Sequence, residues 1–240
     1  MGTRRRFLAS VGVAAACAAQ LAFAGTPANA AGPCELKVGA IGPLAGPAAE
    51  WGLTLVRAAE FAAAEVNAAG GLQVGDSKCH VTIVSYDSKY TAEGAAAGTN
   101  SFVSQRIKFI IGPIGSPEIT GLKPVGNRNG LLVFGNGYAK NAIGPQWPLV
   151  FHESPGPSGW ADAIIKVAKT KFKMTSVVLI APNDQGGTDI TNVDADAYRA
   201  NGIQAIEEFY QRGTTNFAPI VARLLSHKTD AIDIASSPPT

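Results

Sequence analysis

The sequence predicts an α/β protein built as two doubly wound parallel-sheet lobes, the second of them incomplete. Three observations carry this. Short apolar runs alternate with helical patterns from residue 36 to residue 235. Most of the runs end in turns that carry glycine, proline or aspartate. The alternation restarts after a turn-rich stretch at residues 143–159. Repeated βα units of this length mean parallel strands covered by helices on both faces. The 210 residues beyond the first thirty exceed the commonest single-domain size.

Taken in order, residues 36–41 read as the first strand, and Gly42-Pro43-Leu44-Ala45-Gly46-Pro47 as the loop after it. Trp51, Leu55, Ala58, Ala59, Ala62 and Val66 recur at helical spacing until Gly70-Gly71 stops the helix. Residues 81–86 form the second strand, with an alanine-rich helix at 91–104 behind it. Residues 107–111 are the third strand. The stretch 117–129 is a poorer helix, interrupted by Gly121, Pro124 and Gly126. Residues 131–134 are the fourth strand, and 149–152 a fifth strand or a crossover. In the second half Trp160, Ile164, Val167 and Ala168 mark a helix, and 176–181 a strand. Ile190, Val193 and Ala197 mark the next helix, followed by a strand at 203–209. Phe217, Ile220, Val221 and Leu224 mark the last helix before a strand at 231–235.

The first thirty residues read as a signal peptide. Thr3-Arg4-Arg5-Arg6-Phe7-Leu8 resembles a twin-arginine signal, an apolar alanine-rich stretch follows, and Ala28-Asn29-Ala30 suits a signal peptidase. Small residues and Gln20 favour cleavage after Ala30 over retention as a membrane anchor. Removing the three signal arginines leaves 17 basic residues facing 18 acidic ones. The exported chain then has no charge excess to attract a nucleic-acid backbone. Cys34 and Cys79 remain, each just before an apolar run. In an oxidising compartment, on neighbouring parallel strands, they are expected to form a disulfide.

No catalytic constellation stands out. A Gly-x-Ser-x-Gly elbow, a phosphate loop and a His-Glu-x-x-His motif are all missing from the sequence. His80, His152 and His227 stand apart from one another, so no metal is expected. Gly135-Asn136-Gly137 lacks the rest of a dinucleotide fingerprint, so no cofactor is expected either. Ligands of open parallel sheets lie beyond the carboxyl ends of the strands. That rule selects the segments 42–52, 87–91, 112–117, 135–139 and 182–188. Gly112-Pro113-Ile114-Gly115-Ser116-Pro117 leaves a strand and opens a helix, so its amides and the Ser116 hydroxyl could hold a carboxylate. Ser116 could equally serve as that helix's cap. Trp51 and Tyr138 could wall an apolar pocket.

Several segments together resemble the type I periplasmic binding proteins of the leucine/isoleucine/valine-binding family. They are Val38-Gly39-Ala40-Ile41-Gly42-Pro43-Leu44-Ala45-Gly46 with Trp51-Gly52, and Ala63-Ala64-Glu65-Val66-Asn67-Ala68-Ala69-Gly70-Gly71. Val84-Ser85-Tyr86-Asp87, Phe109-Ile110-Ile111-Gly112-Pro113 and Asn216-Phe217-Ala218-Pro219-Ile220-Val221-Ala222-Arg223-Leu224 follow in order. The resemblance implies a ligand-binding lobe at 31–148 and a partial second lobe at 149–240. It implies a periplasmic monomer that closes around a small molecule and delivers it to an ATP-binding-cassette permease. A sensory protein of the same fold is the alternative, and an exported α/β hydrolase a more distant one. Carried over by position, the ligand site falls on Trp51, Ile114, Gly115, Ser116, Gly137, Tyr138, Ala139, Gln185 and Gly186. Two departures matter. Ala139 stands where the family bears a hydroxyl, and Asn183-Asp184-Gln185-Gly186-Gly187 lacks the family's tyrosine. The ligand is therefore expected to be larger than a branched-chain amino acid or held differently, with aromatic and other small carboxylates open. The family's members are longer, so a fragment is expected.

Overall fold

The order of the strands follows from how the crossovers run. The structure, a computed structural model, describes residues 34–139 and 141–235, all within one compact unit. The expected signal peptide, its cleavage point and the chain's last five residues lie outside the described residues. The first sheet comprises β1 (Glu35–Gly42), β2 (Leu72–Val74), β3 (Ser77–Asp87), β4 (Phe109–Ile111), β5 (Leu132–Gly135) and β6 (Val150–His152). They lie in the order β2-β3-β1-β4-β5-β6. Only β2 runs antiparallel, pairing with β3 through a tight turn at Gly75. The chain steps from β1 outward to β3, then back across β1 to β4. Right-handed crossovers then place α1 (Ala49–Ala68) on one face and α2 (Ala92–Ser104) on the other, with α3 (Ser116–Arg128) beside α2.

Burial follows that arrangement. Ile110, Val133 and Val150 point to the α2–α3 face and join Phe102, Ile119, Leu122 and Leu131 in one core. The alternate positions, Phe109, Phe134 and Phe151, face the α1 side and stay exposed, with Phe134 and Phe151 stacked 5.7 Å apart. α3 is continuous despite Pro124. Pro124 lies on the exposed side, and burial of Ile119, Leu122 and Val125 outweighs the one lost backbone bond.

The second sheet has three parallel strands in the order β8-β7-β9. They are β7 (Ser176–Pro182), β8 (Gln204–Tyr210) and β9 (Ala231–Ile234), interleaved with α4 (Pro157–Phe172), α5 (Gln185–Ala200) and α6 (Ala218–Ser226). β7 is central and buried along nearly its whole length. α4 and α5 pack with β7 in one core, and α6 with β7 and β8 in another. β6 hydrogen-bonds β5, so the strand that the sequence reading put beyond residue 148 belongs to the first sheet. Among the described residues no helix is long and apolar enough to cross a membrane.

The expected disulfide is present. Parallel pairing sets Glu35 opposite His80, which brings Cys34 beside Cys79 with their Cα atoms 4.4 Å apart. Closing a chain separation of 45 residues removes loop entropy from the unfolded state worth about 4 kcal/mol. Replacing both cysteines with serine is expected to lower Tm by roughly 10 °C in calorimetry. The wild type in strong reductant should fall equally; an unchanged Tm in both would show that the link closes nothing the unfolded chain leaves open.

Candidate functional site

The strand order reverses at β1, between β3 and β4, and the loops after β1 and β4 part there. A crevice opens at that point. The second lobe faces it with the carboxyl ends of β7, β8 and β9. A cavity of about 330 Å³ lies between the two, lined from the first lobe by Trp51, Tyr90, Ile114 and Tyr138. Trp160, Gly186, Ile190, Asp194, Arg212 and Asp233 line it from the second. A larger groove of about 640 Å³ runs along α1 past Leu55, Ala58 and Ala62. It is lined from one lobe and Glu153, and so cannot clasp anything between two sheets.

Of the sequence-expected residues, Trp51, Ile114, Gly115, Ser116, Tyr138 and Gly186 meet in the cleft. Gly137, Ala139 and Gln185 do not. Gly137 is packed against Ile119, where a Cβ would come within 2.7 Å of a side-chain carbon. Ala139 and Gln185 line a separate polar groove between the loop after β5 and α5. There Gln185 Nε2 donates to Thr120 Oγ1 at 3.0 Å and ties the lobes together.

The expected carboxylate cradle is filled from inside the protein. Glu118 is fully buried in the first turn of α3 and reaches back to accept from the Gly115 amide at 2.9 Å. It also accepts from the Ile114 amide and, through a short bond, from the Ser88 hydroxyl. Burial pushes the Glu118 carboxyl up to about 7 against the pull of these bonds. Ser116 Oγ accepts from the Tyr138 amide at 3.0 Å and the Ala139 amide at 3.1 Å. Its proton goes to Asp189 on the second lobe. The serine therefore joins two loops and two lobes, where the sequence reading offered it as a ligand contact or a helix cap.

Gly186 leaves room for a tyrosine from the other lobe. A Cβ there would stand 2.7 Å from the Tyr90 hydroxyl. The ring of Tyr90, from the first lobe, also packs on Gly115. The Arg212 guanidinium lies 5.2 Å from the Tyr90 ring centre and pairs with Asp184, which caps α5 by accepting from the Gly187 amide. Burial, reinforced by Asp184, raises the Tyr90 hydroxyl to about 12. Tyr138 meets Trp160 edge to face at 6.0 Å, so aromatic contact also spans the cleft.

On the second-lobe floor two carboxylates face each other. Asp233 accepts from the Tyr198 hydroxyl at 2.9 Å. Asp194 Oδ1 is buried with no hydrogen-bond partner among the described residues. Burial, then the charge of Asp233, raises Asp194 to about 6. Sequence reading missed Tyr90, Trp160, Asp194, Arg212 and Asp233. Tyr90 lies in the segment 87–91 that the carboxyl-end rule selects, though it was not singled out there, and Arg212 lies in the loop after β8, which the same rule reaches. Asp233 carries a different signal, an acid set among the apolar residues of β9, whereas Asp194 lies in the polar helix α5 and stands out by no such contrast. Among the described residues no group of three or more His, Cys, Asp or Glu could hold a metal ion.

Comparison with known proteins agrees with this architecture. A family model described as "Periplasmic binding protein" matches residues 35–240. The Leu/Ile/Val/Thr-binding protein of Salmonella typhimurium is 25% identical over 206 residues, covering 82% of this chain and 54% of the relative. The Leu/Ile/Val-binding protein of Escherichia coli is also 25% identical, covering 82% and 53%. The substrate-binding protein LivJ of Streptococcus pneumoniae, in complex with isoleucine, superposes with a TM-score of 0.71 at 22% identity, covering 83% and 56%. An R. palustris solute-binding protein in complex with benzoate superposes with a TM-score of 0.71 at 20% identity, covering 83% and 55%. The chain spans about half the length of the relatives it matches.

Proposed function

Because this chain belongs to the periplasmic binding protein family, we propose that it is the solute-binding component of an importer. It holds a small molecule in the cleft between the two sheets and hands it to an ATP-binding-cassette permease. The observation that supports this most directly is the cavity at the switch point, lined by aromatic side chains of both lobes. A ligand seated there touches Trp51 and Tyr138 on one side and Trp160 and Ile190 on the other. Such a ligand binds the closed arrangement better than the open one and shifts the population toward closure. Contacts that already cross the cleft, Gln185 with Thr120 and Ser116 with Asp189, define the closed register. No bond is made or broken. The protein works as an exported monomer with its signal removed after Ala30.

The relatives' names support a small molecule of amino-acid or aromatic-carboxylate size, which suits a cavity of about 330 Å³. Thermal shift of the full chain against amino acids, aromatic acids and their amine counterparts tests the reading. A ligand at 100 times its Kd is expected to add about 2.7 kcal/mol of stability and raise Tm by several degrees. Trp51→Ala should abolish that rise while leaving the unliganded Tm near wild type. If no compound shifts Tm, and native mass spectrometry finds no retained solute, the binding reading is wrong.

A further inference from the structure

We propose that the cleft selects an organic cation: an amine with an apolar or aromatic body and no carboxylate of its own. The proposal rests on the binding reading above and names the charge of what is bound. It starts from what the cavity wall offers. Its acidic lining residues are Asp194 and Asp233, both on the second-lobe floor. Its basic lining residue is Arg212, and that guanidinium is already ion-paired with Asp184 and set over the Tyr90 ring. A carboxylate entering the cleft meets two acids and a cation that is already matched.

The donors that could have held an anion are also engaged. The Ile114 and Gly115 amides point inward to Glu118, and the Tyr138 and Ala139 amides donate to Ser116 Oγ. The backbone turn that resembles an anion cradle is thus saturated by the protein's own oxygens. Acceptors are in the opposite condition. The Asp194–Asp233 pair receives one hydrogen bond, from the Tyr198 hydroxyl, and Asp194 Oδ1 receives none among the described residues. An unmatched buried acceptor is costly, and an N–H donor from a ligand removes that cost.

The rest of the wall fits the same charge. Trp51, Tyr90, Tyr138 and Trp160 surround the space above the two acids. Aromatic faces attract ammonium groups and are indifferent or repulsive to carboxylates. Burial and Asp233 raise Asp194 to about 6; an ammonium beside it would favour the ionised form. A cation bound here touches first-lobe aromatics and second-lobe acids together, which is the condition for closure. The geometry therefore separates amines from the aromatic acids bound by some structural neighbours.

The test uses four probes of similar body: 2-phenylethylamine, 2-phenylethanol, 3-phenylpropanoate and L-phenylalanine. Their affinities are measured by titration calorimetry on the full chain at pH 7.5. 2-Phenylethylamine is expected to bind at least tenfold tighter than the alcohol and the acid. Asp194→Asn and Asp233→Asn should each weaken the amine at least tenfold and the uncharged alcohol by much less. Both variants relieve the repulsion between the two acids, so their unliganded Tm should match or exceed wild type. Tighter binding of 3-phenylpropanoate, or an amine affinity unaffected by both variants, overturns the cation assignment while the binding reading stands. If none of the probes binds, the solute retained on the natively purified protein decides: an amine upholds the assignment, an anion overturns it, and no retained solute removes both readings.

Discussion

Gly112→Ala is expected to cost at least about 4 kcal/mol, enough to leave little of the chain folded at 37 °C. Gly112 directly follows β4 with a φ of +88°, a region that disfavours any side chain. A Cβ at that position would lie 2.1 Å from the Ile41 carbonyl oxygen of β1 and 3.3 Å from Leu55 Cδ1. Leu55 can yield, but the backbone oxygen cannot. The Ile41 oxygen belongs to a buried strand end, and the Gly112 amide is itself bonded to the Phe134 carbonyl at 2.7 Å. The clash therefore prises β4 from β1 at the place where the site loop begins. Urea denaturation followed by circular dichroism measures the loss. An unfolding free energy within 0.5 kcal/mol of wild type would mean that the strand ends slide apart freely, and that the cleft's first-lobe wall is softer than its packing indicates.

Glu118 is expected to show the second large effect, in two parts. Glu118→Ala leaves the Ser88 hydroxyl and the Gly115 and Ile114 amides without their acceptor, at a cost of about 3–5 kcal/mol in stability. Glu118→Gln keeps an acceptor oxygen and separates the charge from the hydrogen bonds. The folded carboxyl is raised to about 7 from the usual 4.5, so the folded state holds the proton more tightly than the unfolded chain. The stability this contributes is complete below pH 4.5 and is lost as pH rises to about 7. Relative to Glu118→Gln, the wild type should lose about 3 kcal/mol across that window and no more above it. Parallel pH profiles of the two proteins would refute the assignment. Ligand affinity should weaken in Glu118→Ala as well, because the Ile114–Ser116 turn loses its internal brace.

How far the sequence could be read depended on where each signal sits. The alternation of strands and helices was legible because apolar runs such as 176–181 are bounded by turn residues and carry their own burial. The Cys34–Cys79 link was legible for the same reason, since parallel neighbours bring equivalent ends together. β2 was not legible. Its three residues are exposed and too few for their alternation to signal a strand, and only backbone pairing to β3 defines it. α3 looked poorer than it is because a sequence shows Pro124 without showing which side faces solvent. At the site, the strand-end rule found the loops around Trp51, Ile114 and Tyr138. It could not reveal that Glu118 turns the 114–115 amides inward, which depends on a side chain folding back. Nor could it place Asp194 beside Asp233, because that meeting requires β9 to lie next to β7 beneath α5.

Tyr90 and Gly186 are two halves of one steric choice. The first lobe supplies the ring and the second supplies the room for it, so the volume of the cleft is divided between positions far apart in the chain. A larger residue at 186 would have to evict the ring, and a smaller one at 90 would leave a void that any residue at 186 could grow into. Bulk can thus migrate from one lobe to the other without changing the size of the space between them. What changes is the side from which a ligand is gripped, and with it which half of the protein retains the grip as the lobes part.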